Sequence, residues 1–197
     1  MNMTKWKSNI VDDTEFCKIF GVVWNIKTGS LSLEFDFPNE TIMTKRKLSR
    51  LCGMFWDPLG LYSPISLRLK MLLKDVWEGN YDWDIPLDKN INDKVIEFCY
   101  EVKELNSFEL PRILICNNED VFLKSYSDAS KVAFCAVVYI CTPNSCNFLV
   151  SKSRLCPKKQ LTIPRLELIA ALCLARLAHN VSKELSVDIK YLFSDSQ

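Results

Sequence analysis

The sequence predicts an α/β (α+β) protein, because strand-like and helical periodicities succeed one another along its 197 residues. Residues 1–40 alternate apolar and polar side chains, as strands do, whereas residues 41–120 repeat apolar side chains at helical spacing. Residues 121–197 combine three strand-like runs, one long helical run and a last strand-like run. We therefore expect a short β-hairpin, a helical region and a mixed sheet that packs against a long helix.

The first block is expected to be a pair of strands around one turn. One strand is the run FCKIFGVVWNI, which is rich in β-branched and aromatic residues, and the other is the alternating run LSLEFDF. The segment Lys27-Thr28-Gly29-Ser30 between them has the composition of a turn. Pro38 and Asn39 then interrupt the pattern.

The second block is expected to contain three helices, at Thr44–Trp56, Ser63–Trp77 and Ile91–Leu105. In each of them apolar residues recur three and four positions apart, which is the spacing of one buried helix face. The segment WDPLGLYSP joins the first two helices, and its prolines and glycine predict a tight connection. The buried face of the third helix is predicted to comprise Val95, Phe98, Cys99 and Val102.

The third block is expected to run strand, strand, strand, helix, strand. Its strands are VFLKSYSDAS, VAFCAVVYI, NFLVSKSRL and IKYLFS, and its helix begins near Pro164 with Thr162 as the candidate cap. Residues 132–151 carry no charge and have the length of a membrane span, but turn-forming residues interrupt them. They therefore predict a hairpin, and no membrane association is expected.

The nine cysteines do not have the pattern of a disulfide framework. Most lie within apolar runs, no C-x-x-C pair occurs, and a single histidine leaves a zinc site without its usual ligands. Cys141 and Cys146 flank a turn and could approach each other, but we do not expect them to be bonded. With no signal-peptide pattern at the start, we expect an intracellular protein, cytoplasmic or nuclear and not secreted.

The net charge of +1 hides two basic stretches that are separated by an acidic one. Residues 41–74 carry seven basic groups and one acidic group, and residues 151–165 carry five basic groups and no acidic group. Residues 75–120 carry four basic and twelve acidic groups. Such basic stretches are either solvated helix and loop surfaces or phosphate-binding sites, and the charge pattern leaves both readings open.

Three carboxylates in the third block are candidates for chemistry. Asp128 follows the first strand, Glu167 is expected in the first turn of the long helix, and Asp195 follows the last strand. Each of them alone can be a turn or helix-dipole residue. If the first and last strands are neighbours, however, the three carboxylates converge and need a cation, and hard divalent ions prefer oxygen ligands. The alternative is a simple α/β scaffold in which all three acids are structural.

The order SDAS, basic loop, PRLEL and SDS resembles ribonuclease H. Longer stretches make the resemblance more specific, since TKRKLSRLCGMFWDPLGLYSPISLRLKMLLKDVW, YDWDIPL and SKSRLCPKKQLTIPRLELIAALCLARL resemble the polyprotein of Bel-Pao retrotransposons. This family is also labelled Pao retrotransposon peptidase. The run FGVVWNIKTGSLSLEF resembles the end of a reverse-transcriptase palm.

The resemblance implies three parts. Residues 1–40 would be the end of the palm, residues 41–120 the thumb or connection region, and residues 121–197 the first part of a ribonuclease H-like domain. Asp128, Glu167 and Asp195 match the first three acidic ligands of ribonuclease H, which bind Mg²⁺ (or Mn²⁺) and hydrolyse the RNA strand of RNA–DNA hybrids. The implied nucleic-acid-binding residues are Lys152, Arg154, Lys158, Lys159, Arg165, Lys45, Arg46 and Lys47.

Two features of the family pattern have no match in this sequence. The fourth acidic ligand of ribonuclease H would lie beyond Asp195, so we expect the chain alone to be inactive and the intact polyprotein to cleave hybrids. Neither a Tyr-x-Asp-Asp polymerase motif nor an Asp-Thr-Gly or Asp-Ser-Gly peptidase motif is present. The alternative is a non-catalytic, nucleic-acid-binding remnant of a retroelement.

Overall fold

The computed structural model describes residues 15–19, 22–35, 37, 40–104, 109–111, 120–159 and 161–194. Within these residues the chain forms two four-stranded sheets and four helices, so the predicted mixed α/β class is confirmed. Three of the helices lie in sequence between the third and fourth strands of the first sheet, and the fourth helix lies between the last two strands of the second sheet.

The first sheet has the order β1-β2-β3-β4 and is antiparallel throughout. The run predicted as one strand forms two antiparallel strands, β1 (Phe16–Ile19) and β2 (Val22–Asn25). After β3 (Ser30–Leu33), the sheet is completed by the unpredicted β4 (Glu109–Pro111), which lies beyond the helices in sequence.

The three central helices lie within three residues of their predicted bounds. They are α1 (Lys45–Met54), α2 (Ser63–Glu78) and α3 (Lys89–Glu104), while position 105, the predicted end of the third, lies outside the described residues. The predicted α3 face is buried, and Leu33, Phe35 and Phe37 join the same core. The first sheet and the helices therefore share one core, and the division at residues 40/41 and 120/121 stays a prediction.

The second sheet has the order β7-β6-β5-β8. It consists of β5 (Phe122–Ala129), β6 (Ala133–Cys141), β7 (Cys146–Leu155) and β8 (Asp188–Ser194), and α4 (Ile163–Leu185) connects β7 to β8. Strands β5, β6 and β7 are antiparallel, whereas β8 runs parallel to β5. The apolar stripe of α4, which includes Leu174 and Ala178, packs against Leu123 and Val138 on one face of this sheet.

Cys141 and Cys146 are joined by a disulfide, so the expectation that they would not be bonded was wrong. The two residues are direct cross-strand partners at the closed end of the β6–β7 hairpin, with Cα atoms 4.1 Å apart. The antiparallel register, which the sequence pattern did not specify, brings their side chains together. The other six cysteines of the described residues are free thiols.

The uncharged stretch at residues 132–151 forms most of the β6–β7 hairpin, as predicted. The turn of this hairpin is closed by the Thr142 N–H, which donates to the Ser145 carbonyl at 2.8 Å. In the part of the chain that the structure describes, no helix combines the length and the apolar character that a membrane crossing requires.

Candidate functional site

Asp128 lies near the end of β5, on the sheet face opposite α4. The strand alternates, so that Leu123, Ser125 and Ser127 are buried on the α4 side while Asp128 is exposed on the other. Its cross-strand partner is Cys135 of β6. The Ala129 backbone N–H donates a hydrogen bond of 2.6 Å to Asp128 Oδ1, which fixes the carboxylate at the strand end.

The parallel pairing of β8 with β5 brings the ends of these two strands together, which meets the condition for convergence of Asp128 and Asp195. Ser194, which precedes Asp195 in the sequence, pairs with Ser127, which precedes Asp128. One residue earlier, the rings of Tyr126 and Phe193 stack with centroids 5.0 Å apart. Asp195 itself lies outside the described residues, so the register is known up to the residue before it.

An open cavity of about 440 Å³ lies at this junction. Its walls include Tyr126, Ser127, Asp128, Cys135, Phe193 and Ser194. The walls are largely apolar, and burial raises the pKa of the Cys135 thiol. Glu167 is not among the described residues that line this cavity. The sequence analysis did not identify Cys135 and Phe193. Strand alternation assigns a residue to one face of a sheet, but it does not show which strands pair or in which register.

Glu167 lies one residue later in its helix than expected. Because α4 begins at Ile163, Glu167 is its fifth residue and follows the first turn. The prediction that Glu167 lies within the first turn was therefore wrong. Thr162 is the N-cap residue, as predicted, but its side chain makes no capping hydrogen bond. Leu166 and Ala170 are buried, while Glu167 is half-buried at the edge of their stripe.

The carboxylates at Asp128 and Glu167 provide the hard oxygen donors that Mg²⁺ and Mn²⁺ take in proteins. Among the residues that the structure describes, no group of three histidine, cysteine or acidic side chains is placed to hold a metal ion. The third predicted ligand is Asp195, which is not described. The donor chemistry therefore fits a divalent cation, and the complete ligand set stays a prediction.

The basic residues around the start of α4 are exposed. Two of them extend from β7, two lie in the following loop and one lies in the first turn of α4: Lys152, Arg154, Lys158, Lys159 and Arg165. None of these five forms an ion pair within the described chain. Their charges are consequently available to an anionic partner.

Two of the predicted nucleic-acid-binding residues of α1 are engaged with the loop that follows α2. Lys45 is only 6% exposed, and its Nζ donates to the Tyr81 carbonyl at 3.2 Å and lies 3.6 Å from the centroid of the Trp77 ring. The Arg46 guanidinium forms two hydrogen bonds, of 2.7 and 2.9 Å, with the Asp84 carboxylate. This contact lowers the pKa of Asp84.

Lys47 is the third predicted binding residue of α1, and it also has protein partners. Its ammonium pairs with Glu40 at 2.5 Å and donates to the Ile42 carbonyl at 2.9 Å. Nucleic-acid binding by Lys45, Arg46 and Lys47 stays a prediction, and such binding would require each of them to exchange a partner within the protein.

Residues 44–196 match the family described as Pao retrotransposon-like RNaseH-like domain. The chain belongs to this family. This match confirms the resemblance to Pao retrotransposons and ribonuclease H that the sequence motifs indicated. The match begins at the cap of α1 and extends past β8, so it includes the three central helices as well as the second sheet.

Solved structures of a foamy viral protease-reverse transcriptase share the fold of this Pao-type chain. The complex with RNA/DNA hybrid has a TM-score of 0.54 at 11% identity and covers 92% of this chain and 24% of that chain. The complex with dsDNA has a TM-score of 0.51 at 11% identity and covers 93% of this chain and 37% of that chain. The chain thus spans well under half of these proteins, and no curated protein matches its sequence.

Proposed function

We propose that this chain is the ribonuclease H-like part of a retroelement reverse transcriptase, which binds RNA–DNA hybrids and, in the intact protein, hydrolyses their RNA strand. One observation carries the proposal: in a chain of the Pao RNaseH-like family, the residue before Asp128 pairs with the residue before Asp195 across two parallel strands. Aspartates that follow two such residues emerge at the same edge of the sheet.

The metal ligands in this proposal are Asp128, Glu167 and Asp195. A pair of divalent ions held by such carboxylates would activate a water molecule and stabilise the leaving oxygen of a phosphodiester. In this proposal the chain itself would orient the ligands. The Ala129 N–H holds the Asp128 carboxylate, and α4 packs its stripe of small and branched residues on the sheet below Glu167.

The nucleic-acid partner in this proposal is an RNA–DNA hybrid that contacts the five exposed basic residues around the start of α4. Hybrid geometry is A-like, and 2′-hydroxyls distinguish its RNA strand. The similar foamy viral protein was solved with RNA/DNA hybrid and with dsDNA, which supports a duplex as the partner class. Because lysine and arginine would contact phosphates, binding is expected to weaken steeply as salt rises.

The metal site is tested on the chain itself by its thermal stability with and without Mg²⁺ or Mn²⁺. A ligand at about one hundred times its Kd stabilises the folded state by about 2.7 kcal/mol. We expect a rise in Tm that Asp128→Asn and Glu167→Gln each abolish. The matched control is Asp188→Asn, since Asp188 is exposed at the opposite end of β8. A full metal-induced rise in Asp128→Asn would refute the site.

Cleavage is tested in a protein extended beyond Gln197 to include a fourth acidic ligand. We expect it to cut the labelled RNA strand of a hybrid only with Mg²⁺ or Mn²⁺, and Asp128→Asn should reduce the rate by several orders of magnitude. If the extended Asp128→Asn protein cleaves at the unaltered rate, the nuclease proposal fails.

The second candidate is a nucleic-acid-binding remnant without catalysis. It is supported by the five exposed basic residues around the start of α4, which form no ion pair within the described chain. This candidate predicts salt-sensitive hybrid binding in a chain whose Tm does not respond to metal. A metal-induced rise in Tm that depends on Glu167 would exclude it.

A further inference from the structure

The connection between α1 and α2 is a rigid turn built by one carboxylate. Asp57 accepts hydrogen bonds from the backbone N–H groups of Leu61 at 3.0 Å and Tyr62 at 2.7 Å. The Gly60 N–H donates to the Asp57 carbonyl at 3.2 Å. Burial raises the pKa of Asp57 while these amides oppose the rise. The turn at residues 57–63 is thus held by its own hydrogen bonds.

This turn docks on Ser151 of β7, about ninety residues further along the chain. The Ser151 N–H donates to the Leu59 carbonyl at 2.8 Å, and its hydroxyl donates to the Gly60 carbonyl at 2.6 Å. The same hydroxyl lies 3.2 Å from Ser63 Oγ. These contacts join the helical region to the second sheet and satisfy polar groups on β7, which is an edge strand of that sheet.

Glycine is the only residue type that fits position 60 at this junction. Its φ is +73°, a conformation that L side chains rarely adopt, and a Cβ atom there would lie 2.1 Å from the Ser151 carbonyl oxygen. Gly29 provides a comparison, because its φ is +68° but no atom lies within 4 Å of its Cβ position. The two glycines therefore share the left-handed backbone conformation and differ in the contact.

Helix α2 continues along β7 from this junction. Ser63 at its start contacts Ser151, and α2 packs against β7. The helix therefore lies beside the strand that carries Lys152 and Arg154.

We propose that residues 57–63 and Ser151 form a latch that holds the helical region and the second sheet at one fixed angle. The latch sets the position of α1–α3 relative to the five basic residues around the start of α4, and so fixes the surface that a duplex meets. It goes beyond the proposed nuclease function and does not depend on catalysis, because its contacts lie within the chain itself.

The latch is tested in the full chain by the distance between two non-cysteine spin labels. Tyr100 of α3 and Leu168 of α4 are suitable sites because they are 67% and 70% exposed. We expect a narrow distance distribution in the parent chain. In Gly60→Ala the distribution should broaden at least twofold, and the Ser151 amide should lose its protection from hydrogen exchange. Gly29→Ala should leave both measurements unchanged.

Ser151→Ala is the second variant, because Gly60→Ala can fail to fold. It removes the two hydroxyl contacts and keeps the N–H bond to Leu59, so it should broaden the distribution by less than Gly60→Ala. An unchanged distribution in Ser151→Ala and in folded Gly60→Ala would overturn the proposal, as would equal broadening in Gly29→Ala. If Gly60→Ala does not fold, the Ser151→Ala distribution decides alone.

Discussion

The two groups of predicted nucleic-acid-binding residues look alike in sequence, but their surroundings in the fold are opposite. In α1, Lys45 is buried and Arg46 and Lys47 are paired with acids, whereas the five basic residues around the start of α4 are exposed without ion pairs. A run of positive charge therefore does not by itself define a phosphate-binding surface. Whether such charges can bind a phosphate depends on which acidic or aromatic groups of the protein already contact them.

The difference arises from the segment that follows α2. Residues 81–87 return to the start of α1, where the Arg46 N–H donates to the Trp83 carbonyl and Thr44 bridges to Pro86. This segment contributes Asp84 and the Trp83 ring beside Lys45, while the nearer Trp77 ring comes from α2. No ion pair of the described residues reaches the loop before α4, so its lysines stay free.

The largest expected effect that separates the two stretches is on folding stability. Lys45→Ala removes a desolvated cation–π contact and a charged hydrogen bond, and we expect it to lower the free energy of unfolding by about 2–4 kcal/mol. Lys158→Ala changes an exposed loop residue and should shift this free energy by less than about 0.5 kcal/mol. Urea denaturation measures both. Equal losses would remove the distinction between the stretches.

The next effect concerns hybrid binding. Replacing Lys158 and Lys159 together by alanine should weaken binding and reduce the slope of log K against log salt by about one for each lysine that contacts a phosphate. Arg46→Ala should leave that slope unchanged, because Arg46 is committed to Asp84. Binding titrations over a range of salt concentrations measure the slopes. A larger slope change in Arg46→Ala would reverse the proposed roles.

The smallest effect is a pH dependence at the exposed Arg46–Asp84 pair. Arg46 lowers the pKa of Asp84 below its ordinary 3.8, so the pair stabilises the fold above that pH and ceases to do so as pH falls through the lower folded value. Arg46→Ala should therefore slightly lower stability near neutral pH and have no effect in strong acid. Urea denaturation of the parent chain and of Arg46→Ala, near neutral pH and in strong acid, measures the difference. An equal effect in acid would show that another contact is responsible.

Local periodicity was sufficient to predict most of the second sheet and α4. Alternation located β5 to β8, and the short β6–β7 turn together with the long helical crossover determined which pairs are antiparallel and which is parallel. The same signals failed for β4, because three residues are too few to show a period. They also failed for the bond between Cys141 and Cys146, which depends on register.

The candidate site was predictable where it depends on sheet topology. The sequence analysis left open whether the strands before Asp128 and Asp195 are neighbours, and their parallel pairing meets that condition. The burial of Lys45 was not predictable, since its partners Trp77 and Tyr81 lie more than thirty residues away in sequence. Nor was the docking of Gly60 on Ser151, because a tight turn in the sequence carries no sign of the surface that it meets.

The most direct test of the nuclease assignment is paramagnetic broadening of NMR signals by Mn²⁺. If one metal site is shared, substoichiometric Mn²⁺ will broaden the signals of Asp128 and Glu167 together and leave Asp188 sharp. Broadening of only one of the two carboxylates, or of neither, would contradict the shared site and with it the assignment to metal-dependent hydrolysis.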